Sequence, residues 1–278
     1  MRRLGRRPGR FTGAILARLF TIAVCLAMAG CANFQRPASS LPLRHTLVLD
    51  PLVVYSDFVL PPHHRLLDEL VAERGDLIAK LKLPKTEEPI HIYLFESEQR
   101  FRDFMRGRFP DFPLRRAFFV ETDTRLTVYA HWGDRVAEDL RHEVAHGYLH
   151  AVVPNLPLWL DEGLAENAEV PRGGGGLNRP HVQLLLENLS NYGWRPNLQR
   201  LERIESAAEL TQIDYAEAWA WVHLLMETDP ARRPLVQDYL AELRKGGPAP
   251  PLAPRVKGWF PQAEDLLVAH LRSLAPAP

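Results

Sequence analysis

Residues 139–150 read DLRHEVAHGYLH, and this stretch lies within a segment, 139–153, that is predicted to be helical. His142 and His146 are four positions apart, so in a helix they project from one face, about 6 Å apart along the axis. Both imidazoles can then reach one tetrahedral zinc ion at about 2 Å each. Glu143 follows the first histidine, where its carboxylate can hold a water molecule at the metal. The alternative is a helix with two ordinary histidines.

A second motif follows after a short proline-bounded loop, where residues 156–166 read LPLWLDEGLAE. Trp159 and Leu160 are predicted to anchor a second helix in the core. Together, in this order, the two motifs resemble those of the gluzincin metallopeptidases, the clan of thermolysin and the zinc aminopeptidases. The resemblance implies that Glu162 is the third zinc ligand. Fifteen residues lie between His146 and Glu162, somewhat fewer than is usual in that clan, which predicts a tight intervening turn.

Two further residues near these motifs are candidates for parts of the site. His150 is eight residues from His142, about 12 Å along a helix, so one ion cannot bind both. We therefore expect His150 to be solvated or to lie outside the ligand set. Glu166 follows Glu162 by one turn and could accept a hydrogen bond from the free N–H of a ligand histidine, which fixes the ring. A solvated helix glutamate is the alternative.

The resemblance extends more faintly to Tyr215, in the segment DYAEAWAWVHLLME. In zinc aminopeptidases a tyrosine opens a helix, three positions before a small residue, and its hydroxyl stabilises the oxyanion. Ala218 is the small residue here, and a packing tyrosine is the alternative. Gluzincins also dock an extended substrate along an edge strand. His131, at the end of the last predicted strand, is therefore a candidate cleft residue. The following apolar residues are expected in the core: Trp219, Trp221, Val222, Leu224 and Leu225.

Hydrophobic periodicity predicts strands first and helices afterwards, which is an α+β arrangement with a small mixed N-terminal sheet. The resemblance implies a zincin-like fold, with an α/β lobe over 46–155 that includes the HEVAH helix. A helical lobe over 156–278 would carry the third ligand. The predicted strands are 46–55, 90–95, 117–121 and 125–131. The predicted helices are 66–81, a helix capped by Ser97, 139–153, 162–170, 181–189, 214–228, 234–245 and 262–274, with 246–254 as a flexible or extended link.

The N-terminus resembles a bacterial lipoprotein signal. Residues 1–30 contain six arginines, no acid and a short apolar run that ends in LAMAGC. The apolar run is about 12 residues, short of the roughly 20 that span a bilayer. The resemblance implies cleavage before Cys31, a lipid on its thiol and a tether over 31–45. In a cell envelope with two membranes, Ala32 stands where an aspartate usually retains lipoproteins in the inner membrane, so the resemblance favours the periplasmic side of the outer membrane. A plain secretory signal or an uncleaved anchor is the alternative.

Charge and cysteine content exclude several classes of protein. Without residues 1–30, 28 basic residues face 34 acidic ones, a net charge of −6, which argues against nucleic acid as the partner. The only cysteines are Cys25 and Cys31, so beyond the signal we expect no disulfide and no cysteine nucleophile. A metal site there must use His, Asp and Glu.

Taken together, the sequence predicts a lipid-anchored zinc metallopeptidase that acts on peptides or proteins. Zn²⁺ would be held by His142, His146 and Glu162, with Glu143 as general base and Tyr215 at the oxyanion. No strand resembles the G-A-M-E-N motif that grips a free N-terminus in aminopeptidases, so exopeptidase specificity is not implied. Two alternatives stay open: a non-catalytic zinc lipoprotein that acts as a scaffold or assembly factor, and a zinc hydrolase of another amide or an ester.

Overall fold

The computed structural model describes residues 40–113, 115–248 and 250–275, which lie within one compact unit, residues 39–278. The predicted signal peptide, Cys31 and residues 31–39 of the predicted tether lie outside the described residues. Among the residues described, no helix combines the length and apolar character that crossing a membrane requires.

One five-stranded mixed sheet forms the N-terminal part of the fold, as predicted. Its order is β1-β2-β3-β5-β4. The three inner strands β2, β3 and β5 run parallel, and the edge strands β1 and β4 are antiparallel to their neighbours. The strands are β1 (His45–Leu49), β2 (Leu52–Ser56), β3 (Ile90–Phe95), β4 (Ala117–Thr122) and β5 (Arg125–His131).

The prediction of a single strand over 46–55 was wrong. The chain turns at Asp50 and Pro51, and the segment forms the hairpin of β1 and β2. Proline has no N–H to give to a strand ladder, so an unbroken strand through Pro51 would lose a hydrogen bond. The hairpin also places His45, assigned to the tether, in β1. In contrast, the apolar run IHIYLF is the central strand β3, as expected for a parallel strand covered on both faces.

Two helices lie between strands in the sequence and the other helices follow the last strand, and this mixed content confirms the α+β prediction. Several begin earlier than predicted, and the predicted link over 246–254 runs into a short helix at Ala253. The helices are α1 (Arg65–Leu81), α2 (Glu98–Arg108), α3 (Val136–His150), α4 (Leu158–Ala168), α5 (Arg179–Asn191), α6 (Leu198–Leu201), α7 (Gln212–Met226), α8 (Arg233–Leu243), α9 (Ala253–Trp259) and α10 (Ala263–Leu274).

Two glycines let the helices of the candidate site pack closely. A Cβ at Gly147 of α3 would lie 2.9 Å from the Ile90 side chain of β3. A Cβ at Gly163 of α4 would lie 2.6 Å from the backbone oxygen of Ala218 in α7. Only glycine allows such approaches. They bring α3 against the sheet and α4 against α7, so the two motif helices and the helix of Tyr215 meet.

Tryptophans fill the core between the helices. Trp159 of α4 and Trp219 and Trp221 of α7 are each at most 1% exposed, and Leu160 is fully buried. The core role predicted for these residues and for Val222, Leu224 and Leu225 is confirmed. Because α7 is apolar on all sides, it lies inside the helical layer, surrounded by other helices.

A buried histidine pair should make the fold sensitive to acid. His223 Nδ1 of α7 lies 2.9 Å from His270 Nε2 of α10, and burial lowers the pKa of each ring to about 4. In the unfolded chain the same rings take up protons below about pH 6.5. Stability is therefore expected to fall as the pH drops from about 6.5 to about 4.

Thermal unfolding of His270→Gln measures this effect, since glutamine keeps a hydrogen-bonding group but does not titrate. Between about pH 7 and pH 4.5, the melting temperature of the variant should fall by less than that of the wild type. His63→Gln is the control, because the side chain of His63 is 94% exposed. An equal loss in His270→Gln and wild type would contradict the prediction.

Candidate metal centre

Three side-chain atoms from the two motif helices converge. His142 Nε2 and His146 Nε2 of α3 are 3.2 Å apart, and Glu162 Oε2 of α4 lies 3.5 Å from the first and 3.7 Å from the second. A tetrahedral zinc ion with bonds of about 2.0–2.1 Å separates its ligand atoms by about 3.3–3.4 Å. The three atoms therefore fit one such ion with small adjustments.

The Glu162 carboxylate supports a cation at this position. Its Oε2 is buried and has no hydrogen-bond partner among the described residues. Burial alone would raise the pKa of Glu162, but the rings of His142 and His146 outweigh it and lower the pKa to about 2. A charged carboxylate with an unpartnered oxygen thus faces two ring nitrogens. Two imidazoles and a carboxylate are a donor set that suits zinc.

Outside this cluster, a line of hydrogen bonds holds His146 in place. His146 Nδ1 lies 2.8 Å from Asp161 Oδ1, and Asp161 Oδ2 lies 2.9 Å from His150 Nε2. His150 Nδ1 in turn lies 2.6 Å from Glu121 Oε2 of β4. A carboxylate at the distal nitrogen fixes the tautomer and orientation of a ligand histidine. Asp161 was missed by the sequence reasoning, although it directly precedes Glu162.

Glu166 does not make the contact expected of it. Its Oε2 lies 2.8 Å from His181 Nε2 of α5, and no hydrogen bond joins it to a ligand histidine among the residues described. The carboxylate nearest His142 Nδ1 belongs to Glu169, with Oε2 at 3.5 Å. Glu166 lies on nearly the same face of α4 as Glu162 but about 6 Å further along the axis, and at that level the partner is His181 of α5.

Strand β4 forms the wall of the centre. The Phe119 ring stacks on His146, with centroids 5.8 Å apart, and meets His150 edge-on at 5.0 Å. Phe119 belongs to β4, which is an edge strand of the sheet, whereas β5 lies between β3 and β4. The edge strand that borders the centre is therefore β4. The suggestion that His131 lies on an edge strand is therefore wrong. His131 ends the inner strand β5.

Glu143 lies between two cavities that open beside the cluster. One, of about 290 Å³, is lined by polar residues that include Glu169 and Tyr215. The other, of about 310 Å³, is more apolar and includes Phe118 and Phe119. Both are lined by His142 and Glu143. Burial raises the pKa of Glu143, against the lowering effect of the two histidines. This half-buried carboxylate therefore holds a proton more readily than an exposed glutamate does.

Tyr215 lies near the start of α7 and lines the first cavity with Glu143. Its hydroxyl oxygen accepts a hydrogen bond from Arg115 Nη2 at 2.8 Å. Arg115 lies in the loop before β4 and lines both cavities. No pattern in the sequence pointed to it, because its place depends on how that loop folds over α7.

The structure thus brings His142, Glu143, His146, Glu162 and Tyr215 to one region, and it leaves Glu166 beside them on a different partner. Comparisons with protein-family models and with curated proteins find no match to this chain. What the centre does must therefore be argued from its own geometry.

Proposed function

We propose that the protein is a zinc metallopeptidase of the gluzincin type, with zinc held by His142, His146 and Glu162. The observation that carries the proposal is the position of Glu143. Its carboxylate lies next to the three converging ligand atoms and lines both cavities, so it can reach a substrate and a water molecule. A purely structural metal site needs no base at this position. This favours the enzyme over a zinc-binding scaffold.

The reaction would be the addition of water across a peptide bond. Zinc bound by three protein ligands lowers the pKa of a water molecule and polarises a carbonyl. Glu143 takes a proton from the attacking water, and the oxygen of that water forms the new bond to the carbonyl carbon. The C–N bond then breaks, and Glu143 delivers the proton to the leaving nitrogen. The products are a carboxylic acid and an amine.

Tyr215 is proposed to act on the developing oxyanion. It shares a cavity with Glu143 and His142, and its phenol can donate one hydrogen bond. A donor that bonds the oxyanion alone lowers the barrier without tightening the ground-state complex.

A zincin-like substrate cleft is part of the proposal. The antiparallel edge strand β4 borders the HEVAH helix α3, and Phe119 of β4 packs on His146. An extended peptide could add to the free edge of β4 by backbone hydrogen bonds, with its side chains alternating between the two faces. This would lay the peptide across Glu143.

The proposed location is the cell envelope, with a lipid on Cys31 that holds the protein to the periplasmic face of an outer membrane. The support is the basic start, the short apolar run and the sequence LAMAGC. Uptake of labelled fatty acid by a Cys31→Ala variant would rule out this anchor.

Removal of the metal tests the proposed activity. Zinc-loaded protein should cleave members of a peptide library, 1,10-phenanthroline should abolish cleavage, and added zinc should restore it. The isomer 1,7-phenanthroline, which cannot chelate, is the matched control and should leave cleavage unchanged. Cleavage that survives complete loss of zinc would contradict the proposal, as would zinc-loaded protein that cleaves no peptide.

A further inference from the structure

The hydrogen-bond partner of Arg115 is the phenol of Tyr215, although several carboxylates lie in the same region. Its Nη2 donates to the Tyr215 hydroxyl at 2.8 Å, and its guanidinium carbon lies 5.7 Å from the centroid of the Tyr215 ring. Among the described residues, no carboxylate oxygen lies within 4.0 Å of the Arg115 guanidinium. Burial acts to lower the pKa of Arg115, but the Tyr215 hydroxyl and, less strongly, the carboxylates of Glu162 and Glu143 outweigh it and raise the pKa.

The neighbouring arginine shows the ordinary alternative. Arg116 binds Asp139 through two nitrogens, with distances of 2.6 to 3.0 Å, and also approaches Glu138. Both arginines line the same cavity. Arg116 therefore forms an ion pair with α3, whereas Arg115 is directed at Tyr215 on α7.

The hydrogen bond from Arg115 determines which hydrogen bond the phenol can make next. A phenol has one proton to donate and lone pairs to accept. The guanidinium occupies a lone pair of the Tyr215 oxygen, so the proton is left for another acceptor. Within the described parts of the chain, this proton has no protein acceptor. Tyr215 is only 7% exposed, so its ring is packed, and the charged hydrogen bond from the more exposed Arg115 fixes the position of its oxygen at the cavity.

We infer that Arg115 is a positioning residue for Tyr215, which holds the phenol oxygen by its lone pair and thereby directs the phenol proton to the oxyanion of the reaction. The inference rests on the proposed function. The guanidinium charge also makes the phenol a stronger donor. The competing role is that Arg115 binds a carboxylate of the substrate itself.

A double-mutant cycle in the full-length protein separates the two roles. Arg115→Met keeps the apolar stem and removes the donors, and it should lower kcat about 10- to 100-fold with KM within a few-fold. In a Tyr215→Phe background the same change should lower kcat less than about twofold, because the phenol is already gone. Arg115→Lys keeps a charged donor and should recover part of the loss.

Arg135→Met is the control, since Arg135 pairs with Glu138 and lines neither cavity. It should leave kcat within about threefold of wild type. Equal losses of kcat for Arg115→Met in both backgrounds would overturn the inference, as would a rise in KM alone, which is the result expected of a substrate-binding arginine.

A readout independent of activity comes from thermal unfolding of the same four proteins. Arg115→Met should lower the melting temperature in the wild-type background and leave it unchanged in the Tyr215→Phe background, because the two side chains are bonded to each other. Independent effects on melting would overturn the inference. A wild type that cleaves no peptide would instead overturn the proposed function, and the inference would fall with it.

Discussion

Glu143→Gln is expected to reduce kcat/KM for peptide hydrolysis by at least about 10²-fold while zinc content stays that of the wild type. Glutamine has the shape of glutamate, but its amide cannot take a proton from water. General base catalysis contributes typically about 10²–10⁴-fold to a rate, which sets the expected size of the loss. Because Glu143 lies beside the ligand set and outside it, the metal should remain bound. The two measurements are steady-state kinetics and metal analysis of the same sample.

Stability separates this loss from misfolding. Burial disfavours the charged form of Glu143, as its raised pKa shows. Replacing it by a neutral group should therefore leave the melting temperature unchanged or raise it. Glu138→Gln is the matched control on the same helix, because Glu138 forms ion pairs with Arg116 and Arg135 and lies outside the cluster. Activity of Glu143→Gln within tenfold of wild type would place the base elsewhere, and loss of zinc would make Glu143 a ligand.

Helical periodicity alone was sufficient to predict that the two histidines of the centre lie together. His142 and His146 lie on one face because a helix repeats every 3.6 residues, and no tertiary information is needed to see it. Glu162 is different, because its approach to these rings depends on the loop between α3 and α4. The sequence could indicate it only through a resemblance of motifs.

The segment Asp161, Glu162 and Gly163 shows why the surroundings of the ligands were harder to predict. Asp161 faces the distal nitrogen of His146, Glu162 faces the cluster, and Gly163 touches the backbone of α7. Three neighbours in a helix point in three directions, and here each direction is filled by a different element. Sequence spacing predicts the direction in which each residue points from the helix axis. Which element each residue contacts depends on tertiary packing.

Contacts between distant segments could not be predicted from local patterns. Arg115 and Tyr215 are 100 positions apart, and His223 and His270 are 47 apart. Neither pair belongs to a periodic pattern, since each depends on how two elements cross. The β1–β2 hairpin is a different case. Pro51 is a local signal for the turn, because proline interrupts a strand ladder, but the apolar residues on both sides of it form a continuous strand-like pattern.

Glu162→Gln is expected to cause the largest loss of zinc affinity of any single carboxylate change near the centre. The amide is neutral and binds zinc poorly, and it leaves two histidines to hold the ion. Competition with a chelator of known affinity, read by metal analysis, measures the loss. Asp161→Asn should cost about 10- to 100-fold, as is usual for an outer partner of a ligand histidine, and Glu162→Gln should cost more.

Glu166→Gln is the matched control, with the same substitution one turn along the same helix. Because the Glu166 carboxylate bonds His181, its loss should change zinc affinity only a few-fold. The order of the three variants distinguishes the possible ligand sets. Wild-type affinity in Glu162→Gln together with a large loss in Glu166→Gln would move the third ligand to the group formed by His142, Glu166 and Glu169, whose potential ligand atoms also lie within 4.8 Å of one another. The loss of zinc affinity should be largest for Glu162→Gln, smaller for Asp161→Asn and smallest for Glu166→Gln. This order requires zinc to bind where the three atoms of His142, His146 and Glu162 converge.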